Sequence, residues 1–253
     1  MRLPCPGVAI CSFPALIKWL SLAHMERPAY LAGQWYPADE RDCLAAIERH
    51  ARDTSPVARV WRGLIGPHAG WTYSGDAAGH AYRWLAEAQP DIDLVVLFGA
   101  HRGPQGPNTI FLGDGWQTPL GTLSCAQSLA LRLVRELELA EEPVETSRPD
   151  NAAEVHLPFV RHFFPRAELL MLGVAAGAVS ERIGAAVGAA CTDRATVFVG
   201  STDLTHYGPS YGFVPHGIGE GPVDWVRNEN DRGFVDAVLA FDSGALLTHA
   251  QER

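Results

Sequence analysis

Asp93-Leu94-Val95-Val96-Leu97-Phe98-Gly99 is the stretch on which the fold turns. A strand with one wet face alternates apolar and polar residues, whereas one covered on both faces is apolar throughout. Leu94 to Phe98 has no polar residue, so it reads as an interior strand of a sheet with layers on both sides. Outward from it lie strands over Val60 to Ile65, Leu169 to Val174 and Thr196 to Gly200, and a β-like stretch over Thr109 to Leu112.

Helices fill the intervals. One starts near Glu40 with Asp39 as its cap and Leu44 and Ile47 facing inward. A second covers Asp76 to Ala88, with Ala77, Ala81 and Leu85 on one face. A third runs from Gln127 to Leu139, with Leu129, Leu133 and Leu137 in register. His156 to Phe164 forms a short helix, Ser180 caps one ending near Cys191, and further helices cover Val223 to Phe241 and begin near Gly244. Strands alternating with helices predict an α/β fold with a mostly parallel or mixed central sheet.

Composition narrows the partners. The 253 residues are 47% hydrophobic and carry 20 basic and 29 acidic side chains, a formal charge of -9. Lys18 is the one lysine and no basic block occurs. Such a chain repels phosphate backbones and anionic lipid, which argues against nucleic acid and membrane as partners. The five cysteines, at 5, 11, 43, 125 and 191, form no C-x-x-C pair and suit a reducing cytoplasm. Val8 to Leu22 is apolar but broken by Pro14 and Lys18. It reads as part of a variable or non-native extension over residues 1–24 rather than a secretion signal or a membrane span. Residues 25–253 read as a single domain.

The chemistry follows the strands. After Val60 to Ile65 comes Gly66-Pro67-His68-Ala69-Gly70, after the Val95 strand comes Gly99-Ala100-His101-Arg102, and after the Val197 strand comes Gly200-Ser201-Thr202-Asp203-Leu204-Thr205-His206. In open α/β sheets ligands bind beyond the carboxyl ends of the strands. One histidine there is ordinary loop packing. Three on strands of one sheet point to a metal or catalytic site, because neutral imidazole is the commonest ligand for iron, copper and zinc. Asp203 reads as a general base or histidine orienter, or as a loop cap. Glu154 with His156 reads as an acid/base or supporting pair, or as a plain helix start. Arg102 reads as an anchor for an anionic substrate group or as a solvated loop charge. Trp71 and Tyr73 read as pocket walls or as packing.

Five segments in this order resemble the Memo family, also called AmmeMemoRadiSam system protein B. They are AGQWYP at 32–37, IGPHAGWTYSG at 65–75, LFGAHRGP at 97–104, AAEVHLPF at 152–159 and GSTDLTHYG at 200–208. The resemblance implies a three-layer α/β/α sandwich like that of the LigB-type extradiol dioxygenases. It implies iron or copper at His68 and His101, with His206, His156, Asp203 and Glu154 lining the pocket. It also implies a third ligand, a cysteine in a C-terminal CGxxP-like segment. The sequence ends at Arg253 before any such segment, so the domain is expected to be incomplete there. Ala-His-Arg at 100–102 stands where some members have paired histidines. The function implied is metal binding with redox or dioxygenase-like chemistry on an unknown small molecule or peptide. The alternative is an adaptor that binds a phosphopeptide in the same pocket. Metal-assisted hydrolysis is less favoured, for want of carboxylate ligands.

Overall fold

The structure is a computed structural model and describes residues 25–52, 61–103, 105–144 and 147–251. Its centre is a six-stranded sheet of β2 (Gly63–Gly66), β3 (Leu94–Phe98), β4 (Thr109–Phe111), β7 (Ala140–Glu142), β8 (Glu168–Gly173) and β9 (Thr196–Ser201), in the order β2-β9-β3-β8-β4-β7. All pairings are parallel except that of β4 with β8. A small sheet of β1 (Glu26–Arg27), β5 (Gly115–Trp116) and β6 (Leu123–Ser124) lies beside it, with β6 touching β8.

The predicted interior strand is in the middle. β3 pairs Val96 with Phe198 on one side and with Leu170 on the other. Its side chains divide by parity. Val95 and Leu97 enter a core built with α1 (Glu40–His50), α2 (Trp71–Ala88) and α5 (Leu157–Phe163); Leu94 and Val96 enter a second core with α3 (Gln127–Leu137) and α6 (Ser180–Ala190). This is the α/β/α layering, and both faces are dry, which is why the strand carries no polar residue. Each such aliphatic side chain stabilises the fold by roughly 1.5–3 kcal/mol through its burial.

Several local expectations need correction. Asp39 caps α1 as predicted, accepting from the Asp42 N–H at 3.1 Å. The buried face of α1, however, is Cys43, Ala46, Ile47 and His50, with Leu44 only partly covered. α2 begins at Trp71, and its buried face is Trp71, Gly75, Ala78, Gly79, Tyr82 and Leu85; Ala77 is exposed. The larger side chains set the phase of the helix, since Tyr82 and Trp71 bury far more area than alanine. Ser180 is the first residue of α6 and not its cap, because its hydroxyl donates to the Gly177 carbonyl at 2.6 Å. The strand predicted from Val60 is seen from Gly63; Val60, residues 1–24, Cys5, Cys11 and Pro104 lie outside the described residues. β7 and the single turn α4 (Asn151–Glu154) escaped the pattern, being short and, in β7, acidic.

The C-terminal part is helical. α7 (Gly221–Trp225) passes through a π-helical turn, Val226–Asn230, into α8 (Asp231–Leu239), and α9 (Ser243–Gln251) packs on α8. Among the described residues no helix is long and apolar enough to cross a membrane.

Candidate functional site

Because β2, β9 and β3 are parallel neighbours, their carboxyl ends emerge side by side. Gly66 pairs with Ser201 and Phe98 with Gly200, so the three histidine loops leave the sheet at one level. The imidazoles of His68 and His101 stand edge to face, with ring centroids 5.0 Å apart.

Each ring is held from its Nδ1 side. His68 Nδ1 is 2.8 Å from Ser201 Oγ, and His101 Nδ1 is 2.9 Å from Asp150 Oδ1. The other carboxylate oxygen of Asp150 accepts from the His101 backbone N–H at 3.2 Å. Asp150 also accepts from the Ala152 N–H as the cap of α4, so one carboxylate both starts a helix and aims a histidine. Asn151 donates to the His68 carbonyl at 3.0 Å and ties the same turn to the β2 loop. Close approach is needed here: a Cβ on Gly99 would stand 2.4 Å from the Ala152 carbonyl oxygen.

Asp203 joins the loops after β2 and β9. Its Oδ1 accepts the His68 backbone N–H at 2.8 Å. Its Oδ2 lies 3.6 Å from His68 Nε2 and 3.4 Å from His206 Nε2. His68 is buried, and burial lowers its pKa against the opposing pull of Asp203. His206 is half-exposed at the rim, beside the Tyr211 ring at 4.8 Å. His68, His101, Asp203 and His206 therefore form one polar cluster.

The other two predicted residues sit deeper. His156 is fully buried, with Nδ1 3.2 Å from the Tyr82 hydroxyl, and Nε2 has no hydrogen-bond partner among the described residues. It packs against Gly66, where an added Cβ would meet its ring at 3.2 Å. Burial pushes its pKa down to about 3, so the ring is neutral at ordinary pH. Glu154 is fully buried and accepts from the Leu31 N–H at 2.6 Å and the Tyr36 hydroxyl at 2.8 Å. Burial pushes its carboxyl up, against those two donors. Its partners are thus the Leu31 to Tyr36 turn and not the histidine cluster. Trp71 is core, donating to the Val155 carbonyl and packing on Phe159, while Tyr73 is exposed.

Ser201, Asp150 and Asn151 were missed by the sequence reading as site residues. Asp150 gave a local signal, an aspartate directly before a helix, but that signal names only a cap. Among the described residues, no group of three or more His, Cys, Asp or Glu is arranged to hold a metal ion. Cys43, Cys125 and Cys191 are free and buried, and burial pushes the first two thiols up to about 12.

Two cavities flank the Asp203–His206 loop. One of about 490 Å³ is lined by His206, Tyr211, Phe213, Asp231 and His249. The other, about 520 Å³, is more apolar and is lined by Ile65, Leu204, Phe234, Val238 and Leu239.

Comparison with known proteins places these loops in a family. The family model described as Memo-like protein matches residues 27–253. A MEMO1 family protein of Methanopyrus kandleri is 31% identical over 237 residues, covering 88% of this chain and 79% of that protein. One of Pyrococcus furiosus is 30% identical over 232 residues, covering 86% and 78%. An uncharacterized protein of Escherichia coli K12 with a crystal structure aligns over 66% of this chain and 73% of its own, at 16% identity and a TM-score of 0.39. The matched stretch takes in all three histidine loops and the whole described sheet, and on that extent the chain belongs to the Memo family.

Proposed function

We propose that this chain is a metal protein that takes iron or copper at His68 and His101 and supports redox, dioxygenase-like chemistry there. One observation carries the reading: two imidazoles converge, with His101 Nδ1 engaged by Asp150, which leaves its Nε2 as a donor, and with His68 Nδ1 beside Ser201 and its Nε2 3.6 Å from Asp203 Oδ2. That donor chemistry fits iron or copper, and burial keeps His68 in the neutral form that binds metals. Two imidazoles are one donor short of a usual catalytic set, so the expected affinity is modest. When bound, the ion would supply one-electron exchange and a position for oxygen or substrate.

The chain's own groups do the rest. Ser201 and Asp150 set ring orientation. Asp203 fixes the His68 backbone, and its Oδ2 lies within reach of both His68 and His206. His206, open to solvent, exchanges protons with water and relays them through Asp203. His156, buried and neutral, backs the pocket, and Glu154 supports it by anchoring the Leu31 to Tyr36 turn.

The test is equilibrium dialysis of the full chain against ferrous ion without oxygen and against cuprous ion, followed by elemental analysis. Saturable binding lost in both His68→Ala and His101→Ala supports the proposal. Absent binding, or binding that both variants retain, removes it. A phosphopeptide affinity insensitive to chelator would instead favour the adaptor reading.

A further inference from the structure

A third cavity, about 220 Å³, is lined by Arg27, Arg102, Arg148, Glu142 and Asp150, and the last of these also holds the His101 ring. Among the described residues three guanidiniums meet two carboxylates there, a surplus of one positive charge. Arg27 is 1% exposed and lies over the Trp116 ring at 4.0 Å. It donates to Glu142 and to the Arg148 carbonyl. Arg102 donates to the other oxygen of Glu142 at 2.9 Å and to Thr109 Oγ1 at 2.7 Å. Glu142 is thus shared between two arginines, one oxygen each. Both Nε–H groups are buried without an acceptor among the described residues. Arg148 is exposed at the rim, and its side chain has no ion-pair partner among the described residues.

Clustering positive charge under partial burial is costly unless an anion joins it. Arginine is suited to that anion, because its planar fork matches a carboxylate. The surplus of one charge suits a monoanion. A phosphate dianion would overshoot it beside Glu142 and Asp150.

We propose that this cavity binds the carboxylate of a small organic acid and so presents the rest of that molecule toward His101. This extends the metal reading by naming a substrate class, but the binding itself needs no metal. The test is calorimetric titration of the full chain, in chelator and at constant ionic strength, with benzoate and separately with inorganic phosphate. Saturable benzoate binding, stronger than phosphate binding and weakened about tenfold or more in Arg148→Gln, is the expected result. Arg148→Gln keeps the backbone carbonyl that Arg27 uses, and Arg102→Lys serves as a second variant retaining the charge but not the fork. No saturable benzoate binding overturns the proposal, as does phosphate bound more tightly than benzoate. Unchanged affinity in both variants, each folded by circular dichroism, also overturns it. Because metal is withheld, failure here is distinct from failure of the metal reading.

Discussion

His68 and His101 stand 5.0 Å apart, centroid to centroid, on loops whose strands are not adjacent in the sheet. β9 lies between those strands. It supplies Ser201 to one ring, while Asp150, from the turn before α4, holds the other. The pair is therefore set by its supports, and those are the first place to perturb it.

Asp150→Ala removes the acceptor for His101 Nδ1 and the cap of α4 together. On the proposed metal reading, metal affinity is expected to fall 10- to 100-fold, the usual range for a lost orienting partner, and stability by about 1 kcal/mol. Asp150→Asn keeps a good cap, so it should recover stability and not full affinity. Dialysis and urea unfolding separate the two effects. Equal affinity in all three proteins would sink the orienting role.

Acid should weaken the fold through His156. Its pKa is about 3 in the folded chain against 6.5 ordinarily, so the unfolded chain takes up the proton first as pH falls. The contribution is complete above pH 6.5 and is lost toward pH 3 at up to about 1.4 kcal/mol per pH unit. Urea midpoints across that window should slope less in His156→Gln than in the parent. Parallel slopes would contradict the assignment.

At Gly99 a methyl group has nowhere to go, since its Cβ would sit 2.4 Å from the Ala152 carbonyl oxygen. Gly99→Ala should cost about 1–3 kcal/mol and displace the His101 loop from Asp150. Thermal unfolding and the NMR shift of the His101 ring report the two consequences. A variant as stable as the parent would show that α4 moves aside freely.

Leu97→Ala tests the layer assignment. The side chain is fully buried against the α1, α2 and α5 layer, so its loss should cost about 2–5 kcal/mol. The metal binding proposed above should change little in the protein that remains folded, because His68 and His101 lie beyond the strand ends. Chemical unfolding with dialysis under native conditions checks both.

Periodicity and breakers were enough for the strands β3, β8 and β9 and for most helices, because solvent exclusion leaves its trace in the local pattern. They failed on α2, where alanines mimicked an inward face that Trp71 and Tyr82 in fact occupy. They also failed on β7, whose acidic Glu141 and Glu142 carry no apolar signal. Glu142 is held there by Arg27 and Arg102 from distant segments, and nothing near it in the chain announces that.

The order of residues alone determined that an interior strand exists at Leu94 to Phe98, that histidines follow three strand ends, and that the Memo segments run in sequence. Only the tertiary structure decided that β9 lies between β2 and β3, bringing Ser201 to His68. It alone set Asp150 against His101 and turned Glu154 toward Leu31 and Tyr36. The reason is physical: burial and helix phase are properties of neighbouring residues, whereas which side chain completes a hydrogen bond depends on strand order and on contacts between segments far apart in the chain.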